Sequence, residues 1–213
     1  MYKLVVFDLD GTLLDTLDDL TSAVNAGLSA CALPCRTREE VRSFVGNGIV
    51  QLMRLAVGEN QEKLDEALAV FKTYYAVHCK DKTRAYDGIY DLLDKLKKMP
   101  LKTAVLSNKA DFAVKALVEE YFPNAFFLSQ GENEVAGIRK KPAPDALFAI
   151  MKKTNVTQAE TLYVGDSEVD IQTAVNAGVD CVSVTWGFKD ETFLMENGAT
   201  KLARTPQEVL QYI

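Results

Sequence analysis

Short apolar runs recur along the chain at Leu4 to Phe7, Leu101 to Leu106, Ala125 to Leu128, Thr161 to Val164 and Cys181 to Val184. A run that is apolar at nearly every position, rather than at alternate ones, suits a strand covered on both faces, as in a parallel sheet. Stretches with helical spacing lie between the runs. Ile89, Leu92, Leu93 and Leu96 mark one helix, Phe112, Ala116, Leu117 and Val118 another, and Ala146, Leu147, Ile150 and Met151 a third. Strand then helix, repeated, predicts an α/β fold with a doubly wound parallel sheet.

From Asp15 to about Lys82 the rhythm changes to helical periodicity alone, with Leu20, Val24 and Leu28 in one segment and Leu64, Leu68, Phe71 and Tyr75 in another. Two domains are therefore expected: residues 1–15 with 83–213 as the α/β core, and residues 16–82 as an inserted helical cap. Thr37-Arg38-Glu39-Glu40 reads as a capping box. Gly46-Asn47-Gly48 then breaks the pattern before a helix carrying Ile49, Leu52, Met53 and Ala56.

Composition narrows the function classes. With 24 Lys+Arg against 30 Asp+Glu, a net charge of -6, the chain lacks the basic footprint of nucleic-acid binders, and anionic membranes are equally poor partners. No stretch approaches the roughly 18 apolar residues of a spanning helix, and the N-terminal run is too short for a signal peptide, so a cytoplasmic location is expected. Cys31, Cys35, Cys79 and Cys181 show no disulfide spacing and read as free thiols. Zinc at Cys31, Cys35 and His78-Cys79 has no known finger spacing; Cys31 and Cys35, four apart on a helix, read as core residues, and His78 as a core or lid contact. Trp186, Tyr86, Phe122, Phe126 and Phe127 read as packing residues. Monomer and homodimer are both compatible with this surface.

Acids gather where strands end. Asp8-Leu9-Asp10-Gly11-Thr12 follows the first run, and Gly165-Asp166-Ser167-Glu168-Val169-Asp170 follows the fourth, with Asp166 and Asp170 four apart at a helix start. Helix capping is the plain reading of the second pair. Four carboxylates converging on one sheet edge would repel one another unless a cation sat among them. An oxygen-only site suits a small hard ion, Mg²⁺.

Phe7-Asp8-Leu9-Asp10-Gly11-Thr12-Leu13 resembles the signature of the haloacid dehalogenase superfamily of phosphohydrolases, and the resemblance continues in order over nearly the whole chain. It implies that Asp8 is the nucleophile and becomes an aspartyl-phosphate, and that Asp10 is acid and then base. It implies that Asp8, Asp166 and the backbone carbonyl of Asp10 hold Mg²⁺, with Asp170 and Thr12 in support. Ser107-Asn108-Lys109 resembles the second motif, so Ser107, Asn108 and the amides around Leu9 are expected to bind phosphoryl oxygens. Lys141, before Pro142-Ala143-Pro144-Asp145, resembles the third motif and would neutralise phosphate and nucleophile, with Lys140 an adjacent competitor.

Phe44 to Ile49, Gly137 to Pro142 and Gly165 to Asp170 are similar to the corresponding segments of phosphoglycolate phosphatases. Gly46, Asn47 and Gly48 are accordingly expected to present amides to a substrate carboxylate, or else to form a plain helix-helix turn; Arg42 and Arg54 flank them. The implied activity is hydrolysis of a small phosphate ester, first among them 2-phosphoglycolate. Pyrophosphate, sugar phosphates and nucleotides are alternative substrates, and a phosphomutase an alternative reaction.

Overall fold

The computed structural model describes residues 1–132 and 137–213. The chain divides into two units, Met1–Leu14 with Ala85–Ile213, and Asp15–Arg84.

The first unit is built on β1 (Leu4–Phe7), β4 (Lys102–Ala110), β5 (Leu128–Glu132), β6 (Thr161–Gly165), β7 (Asp180–Val184) and β8 (Leu202–Ala203), a parallel sheet in the order β5-β4-β1-β6-β7-β8. β1 is central. Its Leu4 pairs in register with both Lys102 and Thr161, and its Phe7 with both Val105 and Val164. Successive side chains of a strand point to opposite faces. Val5 and Phe7 therefore join Ile89, Leu92 and Leu96 of α5 (Ile89–Leu96) and Val114 and Leu117 of α6 (Asp111–Tyr121). Leu4 and Val6 meet Leu147 and Ile150 of α7 (Asp145–Thr154) and Ala174 of α8 (Glu168–Ala177) on the other face. Helices on both faces leave β1 buried throughout, which is why it reads as an unbroken apolar run.

Three sequence expectations change here. The strand expected at Ala125–Leu128 begins at Leu128 instead, because Ala125 closes a turn onto Phe122 and Asn124 adopts a positive φ of 58°. The observed strand, Leu-Ser-Gln-Gly-Glu, lies at the sheet edge among the described residues, where no second neighbour demands apolar residues. The buried stripe of α6 is Ala113, Val114, Leu117 and Val118, while Phe112 is exposed. Phe127 is also exposed, its ring under the ammonium of Lys102 at 4.7 Å.

The second unit consists of α1 (Leu17–Ala30), α2 (Arg38–Phe44), α3 (Ile49–Val57) and α4 (Leu64–His78). β2 (Leu14–Asp15) and β3 (Arg84–Ala85) pair as a separate two-stranded sheet where the chain enters and leaves it. Buried Asp19 accepts hydrogen bonds from the amides of Lys82 and Thr83 and from the Thr83 hydroxyl at 2.8–3.1 Å, tying the exit to α1. α1 and α4 approach closely at Gly27, where a Cβ would lie 2.5 Å from the Ala67 carbonyl oxygen. Cys31 and Cys35 are not on a helix, since α1 ends at Ala30; Cys31 is buried and Cys35 exposed. All four cysteines are free. His78 is half-buried, stacks on Tyr74 and bonds Asp81 through Nδ1 at 2.8 Å.

Candidate active site

The chain goes from β1 to β4 on one side and from β6 to β7 on the other, so the sheet order reverses between β1 and β6. In open parallel sheets a crevice opens at this point beyond the carboxyl ends of the strands. Asp8 follows β1 and Asp166 follows β6, and the Asp8 amide continues the pairing by donating to the Val164 carbonyl at 2.9 Å.

Asp8, Asp166 and Asp170 are all buried, and one carboxylate oxygen from each lies within 4.8 Å of the others. Lys141 sits among them, buried, with Nζ 2.9 Å from Asp8 Oδ1 and 2.7 Å from Asp170 Oδ1. The Asp8 contact lies outside hydrogen-bond geometry, so that oxygen is buried without a donor. Lys140 is only half-buried, and Lys141 is the lysine that faces the acids.

Asp170 is fully engaged. Oδ1 accepts from Lys141 and, at 3.2 Å, from the Tyr163 hydroxyl, while Oδ2 accepts from the Ser167 amide at 3.1 Å and its hydroxyl at 2.6 Å. It thus caps α8 and orients Lys141 at once. Asp166 precedes the helix, accepting from the Phe188 amide at 2.7 Å and the Thr12 hydroxyl at 3.3 Å. With fewer donors, Asp8 and Asp166 keep coordinating capacity for a cation.

Three carboxylates against one ammonium leave a surplus of two negative charges. Buried carboxylates without a counter-charge take up protons instead. Burial pushes Asp8 up to about 7, with Lys141 opposing and Asp170 and Asp10 adding. Burial, then Asp170 and Asp8, likewise holds Asp166 well above the usual carboxylate range. For Lys141 burial works the other way, but Asp170 and Asp8 outweigh it and keep the ammonium charged. A divalent cation fits both the surplus charge and the undonated Asp8 oxygen.

Ser107, Asn108 and Lys109 lie within β4 rather than beyond it, at an irregularity where Leu106 pairs with Gln130 and Ala110 with Glu132. Bulges of this kind re-aim side chains next to sites. Ser107 is buried, and its Oγ accepts from the Lys109 amide at 3.3 Å. The Asn108 side chain grips the Lys141 backbone from both ends, accepting from its amide at 2.8 Å and donating to its carbonyl at 3.0 Å. Asn108 therefore positions Lys141 in addition to any contact with phosphate. Leu9 is buried, and its carbonyl accepts from the amides of Leu13 and Leu14 at 3.0 Å, closing the loop that returns Asp10 to the strand end.

Gly46, Asn47 and Gly48 belong to the helical unit, where Gly46 and Gly48 take φ values of 131° and 81° and the Gly48 carbonyl receives the Leu52 amide at the start of α3. Arg42 pairs with Glu39 and Arg54 bonds Gln51, both along helix surfaces.

Several contributors escape a reading of motifs. Lys109, the last residue of the Ser107-Asn108-Lys109 motif but given no role of its own there, is buried and pairs with Asp10 Oδ1 at 2.8 Å. Trp186, expected only to pack, also donates its indole N–H to the Thr12 carbonyl at 3.0 Å. The Phe188 amide is a main-chain group that no side-chain motif announces. Between these two, a Cβ at Gly187 would come within 2.4 Å of both Asp166 Cβ and the Gly11 carbonyl oxygen. Gly187→Ala is expected to displace Asp166, destabilising the protein by about 1–3 kcal/mol and lowering Tm by roughly 2–12 °C. Thermal denaturation with and without divalent cation checks this, and an unchanged Tm with a normal cation response would refute it.

The family model for haloacid dehalogenase-like hydrolases matches residues 5–184. The chain is 38% identical over 195 residues to a phosphoglycolate phosphatase of Pseudomonas syringae pv. tomato, covering 87% of this chain and 70% of that one. It is 31% identical over 219 residues to a phosphoglycolate phosphatase of Vibrio parahaemolyticus, covering 99% and 96%. A solved structure from Lactobacillus delbrueckii subsp. bulgaricus superposes with a TM-score of 0.93 at 38% identity, covering 100% of this chain and 98% of that chain. No helix among the described residues is long and apolar enough to cross a membrane.

Proposed function

Because this chain belongs to the haloacid dehalogenase-like hydrolases, we propose that it hydrolyses a small phosphate monoester, 2-phosphoglycolate first among candidates, through a phosphorylated Asp8. The observation that carries this reading is the buried cluster itself: Asp8 with an undonated oxygen, touched by Lys141, and two further carboxylates within reach of one ion.

Asp8 and Asp166 with the Asp10 carbonyl would hold Mg²⁺, which when bound offsets the surplus charge and polarises a phosphoryl oxygen. Lys141 screens the approach of the Asp8 carboxylate to an anionic ester. An Asp8 oxygen bonds to phosphorus as the ester P–O bond breaks, and Asp10 delivers its proton to the leaving oxygen. Water then attacks phosphorus and gives its proton to Asp10, the bond to Asp8 breaks, and inorganic phosphate leaves. Ser107, Asn108 and the amides near Leu9 hold the equatorial oxygens through a transition state that needs mostly positioning. The helical unit, residues 16–82 in the sequence reading, is proposed as a cap whose Gly46-Asn47-Gly48 turn meets the organic half of the substrate.

Phosphate release over a panel of phosphoglycolate, pyrophosphate, hexose phosphates and nucleotides tests the reading. Phosphoglycolate is expected to lead by a factor of about a hundred, about 2.7 kcal/mol of transition-state binding, and chelator is expected to abolish turnover. A flat panel would discard the substrate, and release unaffected by chelator would discard the metal.

A further inference from the structure

We propose that Asn47 is a site of spontaneous deamidation, and that the carboxylate it becomes turns the Gly46-Asn47-Gly48 segment against substrates with an anionic organic half. The site stands on the geometry of the turn alone. Its effect on rate deepens the phosphate-ester reading above and rests on it.

Asparagine precedes glycine twice in this chain, at Asn47-Gly48 and at Asn197-Gly198. In such a pair the glycine nitrogen, which no Cβ shields, can reach the asparagine side-chain carbonyl carbon. A bond forms from that nitrogen to Cγ, the bond from Cγ to Nδ2 breaks, and ammonia leaves with the proton of the glycine amide. Water then adds to one carbonyl of the resulting cyclic imide and opens it to aspartate or isoaspartate. Water is the sole co-reactant, and nothing is oxidised or reduced.

The structure separates the two pairs. Asn197 is the more exposed, but it follows α9 (Glu191–Glu196) with both reacting groups held: its Nδ2 donates to the Phe193 carbonyl at 2.8 Å and the Gly198 amide to the Met195 carbonyl at 3.1 Å. Asn47 is half-buried, yet neither its side chain nor the Gly48 amide has a hydrogen-bond partner among the described residues; only the Gly48 carbonyl is engaged, by the Leu52 amide. Glycines at positive φ stand on both sides of it, so the main chain can bend the Gly48 nitrogen onto Cγ. The product also suits its place in the fold. α3 begins without a side-chain cap and without an acid in its first turn, and a negative charge there is favourable to the helix. The same charge opposes a substrate carboxylate brought to this turn and leaves an alkyl tail unaffected.

The test incubates the purified protein for several days at about pH 8 and follows each Asn-Gly peptide by mass, with enzymatic labelling of isoaspartate. The peptide carrying Asn47 is expected to gain the mass of an amide NH₂ replaced by OH about 10-fold or more faster than the one carrying Asn197, whose two hydrogen bonds must first open. In urea-unfolded protein the two rates should converge. Asn47→Gln is expected to stay unmodified there and to keep through the incubation whatever rate it starts with. Asn47→Asp, made directly, is expected to lower kcat/KM for phosphoglycolate relative to ethyl phosphate, whose methyl replaces the carboxylate, by about 10-fold. A folding defect would lower both rates together and leave their ratio intact.

Folded protein in which Asn197 is modified as fast as Asn47, or in which Asn47 stays intact while the unfolded chain reacts, overturns the site and leaves the phosphatase reading standing. Asn47→Asp with the wild-type ratio of the two esters overturns the effect on substrate choice. Fresh protein inert toward both esters overturns the phosphatase reading and the rate effect with it, while the mass ratio still decides the site.

Discussion

Asp8→Asn is expected to lower phosphate release by about 10⁴-fold or more while making the metal-free protein more stable at pH 8. The amide is nearly isosteric, so packing persists, but the nucleophile is gone. The stability gain follows from the charge count: one of three buried carboxylates sharing one ammonium is neutralised. Burial chiefly holds the Asp8 carboxyl at about 7 against 3.8 for an ordinary aspartate. A folded state with the higher pKa binds more protons than the unfolded chain between those values, so metal-free wild type loses stability as pH rises from about 4 to 7. Asp8→Asn removes that contribution, leaving the shallower slope due to Asp166. Thermal denaturation in chelator at pH 5 and pH 8 checks this: the variant should lose less between the two, by on the order of 1–3 kcal/mol. Divalent cation should raise Tm in wild type and much less in the variant. A variant with the parental pH slope would mean that Asp8 is not the charge-strained member of the cluster.

Lys141→Met is expected to be the more damaging change to the fold. It removes the ammonium that touches Asp8 and Asp170 and leaves their charges unbalanced, a loss of about 3–5 kcal/mol for breaking a buried pair, or roughly 6–20 °C in Tm for a chain of this size. Activity should fall by about 10³-fold or more through the lost screening of the phosphoryl group. Millimolar Mg²⁺ should restore part of the stability, since a cation can take over the neutralising role, and none of the rate. A Tm within a degree or two of wild type in chelator would show that Lys141 does not balance this cluster.

Much of the site follows from short-range spacing. Asp8 and Asp10 are two apart after a strand, Asp166 and Asp170 four apart across a helix start, and Lys141 precedes a proline turn, so local geometry confines each group before any long-range contact forms. β1, β4, β6 and β7 were legible for a related reason: a strand covered on both faces has to be apolar along its length. β5 was misplaced because an edge strand carries no such requirement, and Leu-Ser-Gln-Gly-Glu has none of its signature. On α6, Phe112 and Ala116 form as good an apolar stripe as Ala113 and Leu117, and the docking of the helix on the sheet decides between them.

The rest needed partners far apart in sequence. Lys109 meets Asp10 across 99 positions, Trp186 reaches Thr12 across 174, and the Phe188 amide closes on Asp166 across 22. The Asn108 grip on the Lys141 backbone spans 33. Sequence alone determined the alternation of strand and helix, the helical insertion and the identities of the acids and lysine at the strand ends, because hydrophobic periodicity and local spacing encode those directly. Tertiary structure decided which carboxylate remains short of donors, which lysine is buried among acids and which is parked on Asp10. Those depend on burial and on main-chain groups converging from separate strands, and neither is written in any one segment.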